Sequence, residues 1–262
     1  MSYFPILSAP FCEGRTTIYN FPPNNWENLS KHTKFVNLTW SSHGLWHSIS
    51  FDELPYGSAK SYTTFDLPNS DLGNSLPLLS LTPCKLPPHS TVLPSVPSPN
   101  RFPTWRASLE LFTNSASTSY QGELDPFPVK ASLLSFSPLL QLNTSITNFL
   151  LFLNIESSPV SRTSSLEIYR TSDILNRLDD HQVFNNSITC IGLDTLNLKQ
   201  NDLPLFLSRN MSGVPLFLSM SEDLTAMSLE HTHPPASYVV HGKRWASQKY
   251  LKSRWGINPE IK

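Results

Sequence analysis

Phe149-Leu150-Leu151-Phe152-Leu153 places five large apolar side chains in a row. Successive residues of a strand point to opposite faces, so this run is apolar on both faces and predicts a central strand covered on each side. The segments around it are built differently, with one apolar and one polar face. Ala107, Leu109 and Leu111 alternate with Ser108 and Glu110, and Leu166 and Ile168 alternate with Glu167 and Tyr169. Leu134, Phe136 and Leu140 share one parity of a run interrupted by Pro138, and Ser187 to Ile191 predicts one more strand. Such alternation is the mark of half-buried strands.

Leu203-Pro-Leu-Phe-Leu-Ser208 recurs eleven residues on as Val214-Pro-Leu-Phe-Leu-Ser219. With Arg209 to Gly213 as the turn, the two copies predict a hairpin whose Phe206 and Phe217 reach the core. Ser172 is positioned to N-cap a short helix carrying Ile174, Leu175 and Leu178, with Asp173 near its positive end. Nearer the start, Phe35 to Trp40 and Leu45 to Phe51 predict a β-hairpin with Ser41-Ser42-His43-Gly44 as a four-residue loop. Leu45, His47, Ile49 and Phe51 would share the core face of its second strand. His47 is then a hydrogen-bonded core histidine rather than half of a His43/His47 metal pair, since Gly44 and the alternation argue against a helix there. Tyr62 to Phe65 predicts a further strand.

Between Pro77 and Pro103 the chain holds eight prolines, too many for central strands. An extended strap across the sheet is favoured over a linker, because a linker would leave Leu78, Leu79, Leu81, Leu86 and Leu93 in water. The expected fold is an all-β antiparallel sandwich or barrel-like sheet. Its parts are an N-terminal hairpin region (1–76), the proline-rich strap (77–103), the sandwich core (104–242) and a basic, aromatic C-terminal helix packed on that core (243–262). Composition agrees: charged residues make up only 15% of the 262, with Pro at 23 and Gly at 9, which favours extended segments over solvent-facing helices.

The formal charge of −1 hides an asymmetry. Residues 1–242 hold 13 Lys/Arg against 19 Asp/Glu, and residues 243–262 hold 6 against 1. The tail bases Lys243, Arg244, Lys249, Lys252 and Arg254 stand beside Trp245, Tyr250 and Trp255, a mixture suited to phosphate contacts and base stacking. Docking of this tail on the acidic body is the favoured reading, because the aromatic residues need an apolar surface and neutralisation within the chain needs no partner.

Glu230-His231-Thr232-His233 is the sharpest chemical candidate. Alternation would put His231 and His233 on one side of a strand end, with Glu230 and His241 as further ligands for a divalent metal. Pro234-Pro235 would end the strand and leave the histidines at a sheet rim. Glu123 and Asp125 would share a face if extended, a pair able to hold a cation or to form an acid/base pair, or to serve as part of a ligand or partner surface. No nucleophile elbow, Walker loop or dinucleotide fingerprint occurs in the sequence. Cys12, Cys84 and Cys190 are odd in number and lack metal-knuckle spacing.

The opening residues lack a basic region before an apolar stretch, so a cytoplasmic protein is expected. No apolar run reaches the length of a membrane span. The expected function is a non-enzymatic binding or protein-interaction module whose partner is another protein or a small polar ligand; nucleic acid through the tail is not favoured. The alternative is a metal-assisted enzyme using the 230–233 rim.

Overall fold

A computed structural model describes residues 3–21, 32–68, 72–96, 106–127, 134–136, 145–196, 198, 204–208 and 210–231. In its first half the strands are β1 (Phe4–Pro5), β2 (Glu13–Tyr19), β3 (Lys34–Ser42), β4 (Leu45–Leu54), β5 (Ala59–Thr63), β6 (Leu78–Thr82), β7 (His89–Ser90), β8 (Arg106–Phe112) and β9 (Ser117–Tyr120). The second half adds β10 (Leu134–Phe136), β11 (Ile146–Asn154), β12 (Thr163–Arg170), β13 (Asp173–Phe184), β14 (Ser187–Gly192), β15 (Pro204–Ser208), β16 (Val214–Ser221) and β17 (Met227–His231).

These strands form four antiparallel sheets, ordered β1-β6-β3-β4-β7, β5-β2-β8-β9, β10-β15-β12-β13 and β14-β11-β16-β17. The first two face each other over Ile18, Val36, Leu38, Leu79 and Leu81. The last two face each other over Leu150, Phe152, Leu166, Ile168, Phe206 and Phe217. A third core joins the pairs, with Phe149, Leu151, Leu153 and Leu216 meeting Trp46, Leu78, Leu109 and Leu111. The protein is thus all-β, built as two sandwiches that share an apolar seam.

β11 shows why. Leu150 and Phe152 point into the second sandwich while Phe149, Leu151 and Leu153 point into the seam. Each large apolar side chain so buried contributes about 1.5–3 kcal/mol, and neither face of the strand has anything to gain from water.

Several expectations need correction. Leu78–Thr82 is not a strap but the buried strand β6, lying between β1 and β3. Pro77 and Pro83 sit just outside it, where no ladder N–H is required. The segment after it reaches the second sandwich, where Leu93 N donates to Ser157 O at 2.7 Å, and it is tied back to the chain before β1 by Tyr3 Oη, which donates to Pro94 O.

The β3–β4 turn has two residues rather than four, His43 and Gly44, both at positive φ (49° and 75°) as a tight hairpin requires. The buried face of β4 is also the opposite one. Trp46 is fully buried and donates Nε1–H to Ser157 O at 3.0 Å, whereas Leu45 and His47 are half-buried and Ile49 is exposed. Trp46 has the largest apolar surface on the strand and a partner for its polar atom, so its parity prevails.

The helix expected from Ser172 is absent, since Asp173–Phe184 is strand β13, paired with β12 over Asp179–Phe184 and again at Arg177 and Asp173, with register shifts between. A short helix there would gain little: Leu175 is 89% exposed, and only Leu178 packs against the second core. Ladder hydrogen bonds to β12 outweigh a weak local propensity.

The echoed β15 and β16 do not form a hairpin either. β15 pairs with β10 and β12, β16 with β11 and β17, and the two strands lie in facing sheets. Phe206 and Phe217 do reach the core, meeting across it with ring centroids 5.6 Å apart. The connection is pulled over by side chains that seize its carbonyls, Asn154 Nδ2 on Ser212 O and Arg162 Nη1 on Asn210 O. The C-terminal helix expected over 243–255 lies outside the described residues.

Candidate functional site

Where β13 turns into β14 the chain passes through Asn185-Asn186, and Asn186 takes φ 53°, a left-handed conformation that asparagine tolerates better than most residues. Both residues are buried, so their amides must be satisfied internally. Asn185 Nδ2 donates to Val160 O at 2.9 Å and to Glu156 Oε2 at 3.2 Å, and its Oδ1 accepts from Arg162 N at 2.7 Å. Asn186 Nδ2 donates to Ser158 O at 2.8 Å, while its Oδ1 accepts from Glu156 N at 2.7 Å. The Asn186 carbonyl reaches the other sandwich, accepting from Leu76 N at 2.9 Å.

Beneath the turn, Glu156 is 1% exposed and forms an ion pair with Arg162. A buried carboxylate is tolerated only with such compensation. Across from it, Ser75 bridges to Ser187 and accepts at Oγ from Ser41 N at 2.9 Å.

The result is a cleft of about 480 Å³ between the sandwiches. One wall is Ser41 to Gly44 with Leu72 to Ser75, and the other is Pro159, Ser161 and Phe184 to Ser187. Among the described lining residues only His43 carries a group that ionises near neutrality; the rest offer hydroxyls, amides, backbone, the aliphatic side chains of Leu72 and Pro159 and one aromatic ring. The volume is that of a small-molecule site.

The residues singled out from the sequence lie elsewhere. Glu230 and His231 end β17, where Glu230 is exposed and His231 is on the side of Met227 and Leu229, facing the seam. The two side chains therefore point to opposite faces of the sheet. The His231 ring lies 4.3 Å, centroid to centroid, from that of Tyr120. Burial and then the Glu123 charge push the Tyr120 hydroxyl above its usual range. Glu123 and Asp125 flank buried Leu124, which pairs with Tyr3, and both are exposed. Desolvation of its carboxyl, followed by repulsion from Glu123, raises Asp125. Tyr120 thus links two stretches that the sequence offered separately.

His233, His241, Lys243, Arg244, Trp245, Lys249, Lys252 and Arg254 lie outside the described residues. Among the described residues no group of three or more His, Cys, Asp or Glu is gathered around a common point. No helix among them is long and apolar enough to cross a membrane.

The cleft itself was missed at the level of sequence. Asn185-Asn186 carries a turn signal, but its joining of two sandwiches depends on Ser75 and Leu76, over a hundred residues away. Compared with known proteins, the chain matches no family model, no curated protein and no solved structure.

Proposed function

We propose that this protein is a non-enzymatic binding module whose junction cleft takes a small, neutral, polyhydroxylated ligand of the size of a mono- or disaccharide. The observation that carries this reading is the lining: hydroxyls and amides from both sandwiches, set on a buried hydrogen-bonded floor, with no carboxylate or guanidinium facing the space. A charged ligand would lose its hydration there without an opposite charge to replace it. Neutral hydroxyls exchange water for the serine hydroxyls and the exposed Asn74 amide at little net cost. Phe184, 37% exposed at the edge of the cleft, offers an apolar face to the C–H side of such a ligand.

Titration calorimetry against neutral sugars and polyols, beside the matching sugar phosphates and uronates, tests the proposal. Neutral members should bind and their charged counterparts should not. Ser161→Trp fills the cleft from an exposed position and should weaken binding by a factor of about ten or more, roughly 1.4 kcal/mol, with the melting temperature unchanged. Equal binding of charged analogues, or binding indifferent to Ser161→Trp, would refute it.

A further inference from the structure

Away from the space inside the cleft, β4 and β7 place two histidines directly opposite each other, His47 against His89. Their Nδ1 atoms are 3.2 Å apart and their rings stand nearly perpendicular, at 87°. His47 is held on two further sides. Its ring stacks on Trp40, with centroids 5.5 Å apart and 18° between planes, and its Nε2 lies 3.1 Å from the Ser42 carbonyl oxygen.

That carbonyl fixes the tautomer. An amide oxygen only accepts, so His47 Nε2 carries the hydrogen and, in the neutral imidazole, Nδ1 presents a bare lone pair. A backbone carbonyl holding one ring nitrogen while the other binds a metal is the usual support of a metal-ligating histidine. The spacing also fits an ion. Two nitrogens 3.2 Å apart, each at about 2.0–2.1 Å from a common centre, subtend roughly 100° there, between the square-planar and tetrahedral values.

The geometry points to a two-histidine clamp for a divalent transition metal of the zinc, nickel or copper(II) class, with His47 Nδ1 and His89 Nδ1 as the protein ligands. Without metal, His89 Nδ1–H donates to His47 Nδ1. On binding, the His89 proton moves to Nε2 through solvent, so two neutral imidazoles become two ligands with no net release of protons. Water fills the remaining positions, which leaves the ion open to a further donor. His43, on the turn three residues before Trp46, is not required. The clamp is separate from the 230–233 stretch and does not depend on a ligand in the cleft, although Ser42 belongs to both neighbourhoods.

The test is a titration of the full chain at neutral pH with zinc(II), and with copper(II) followed by electron paramagnetic resonance. It is repeated on a background carrying His231→Ala, His233→Ala and His241→Ala, which removes the other histidine-rich stretch. One equivalent should bind in both backgrounds, with copper(II) tighter than zinc(II) and two nitrogens coupled to the copper. His89→Ala, at an exposed position on a two-residue strand, should weaken zinc binding on the order of a hundredfold through loss of the second ligand without moving the melting temperature of the metal-free protein. His47→Gln should do the same to affinity. Binding unchanged within threefold in His89→Ala, a single coupled nitrogen, loss of the metal in the triple background, or no binding at all would each overturn the clamp.

Discussion

Gly14→Ala is expected to destabilise the protein by about 3 kcal/mol or more, at the upper end of what overpacking costs, and to remove most folded material at physiological temperature. Gly14 is the second residue of β2, opposite Leu111 in β8. A Cβ there would stand 1.5 Å from the Leu7 carbonyl oxygen and 2.7 Å from its carbon. Both atoms are backbone, so no rotamer change relieves the collision. The 4–7 segment cannot swing away either, because Thr16 Oγ1 donates to Pro5 O at 2.6 Å and Ile6 N donates to Pro77 O at 2.9 Å. Gly192→Ala is the control. Its nearest neighbour would be Phe149 Cε1 at 4.0 Å, and it is not among the positive-φ glycines. Chemical denaturation should show the first variant crippled and the second within about 0.5 kcal/mol of the parent.

Arg162→Met should cost about 3 kcal/mol, the low end of the range for leaving one partner of a buried pair alone, since Arg162 itself keeps 28% of its side-chain surface in water. In a chain this size that corresponds to a fall of roughly 6–12 °C in Tm. The loss is larger than a surface ion pair would give, because Glu156 is 2% exposed at its side chain and would keep a charge with only the Asn185 amide facing it. Adding Glu156→Leu should restore much of the stability by removing the stranded carboxylate. It should not restore ligand binding, because Asn185 would have lost its anchor in the floor of the cleft. A melting curve and one titration for each variant separate the two effects.

What the sequence revealed was whatever depends on the period of side chains along one strand. The two-faced run of β11, the one-faced runs of β8 and β12, and the β3–β4 hairpin all follow from alternation alone. What it hid were choices among partners. The Leu203–Ser208 and Val214–Ser219 echo has the spacing of a hairpin, and nothing local says that Asn154 and Arg162 draw the connection across a sandwich. Proline count concealed β6 because its Pro77 and Pro83 lie just outside the strand. Asp173 to Leu178 has helical spacing, but its competitor was a ladder with β12. The candidate sites divide the same way. Adjacent motifs such as 123–125 and 230–231 are readable, whereas the cleft and the His47/His89 pair exist only through contacts between distant segments.

The seam built on Phe149, Leu151, Leu153, Trp46 and Leu109 is what holds the two walls of the cleft at a fixed separation, and differential scanning calorimetry of the full chain, with and without Leu151→Ala, tests it most directly. A shared core makes both sandwiches unfold together. The parent should show one transition with equal calorimetric and van't Hoff enthalpies, and Leu151→Ala, which costs about 2–5 kcal/mol, should shift that whole transition downward as one peak. Two separate transitions in the parent, or a variant in which one peak falls while another stays in place, would contradict a common core and with it a cleft of fixed walls.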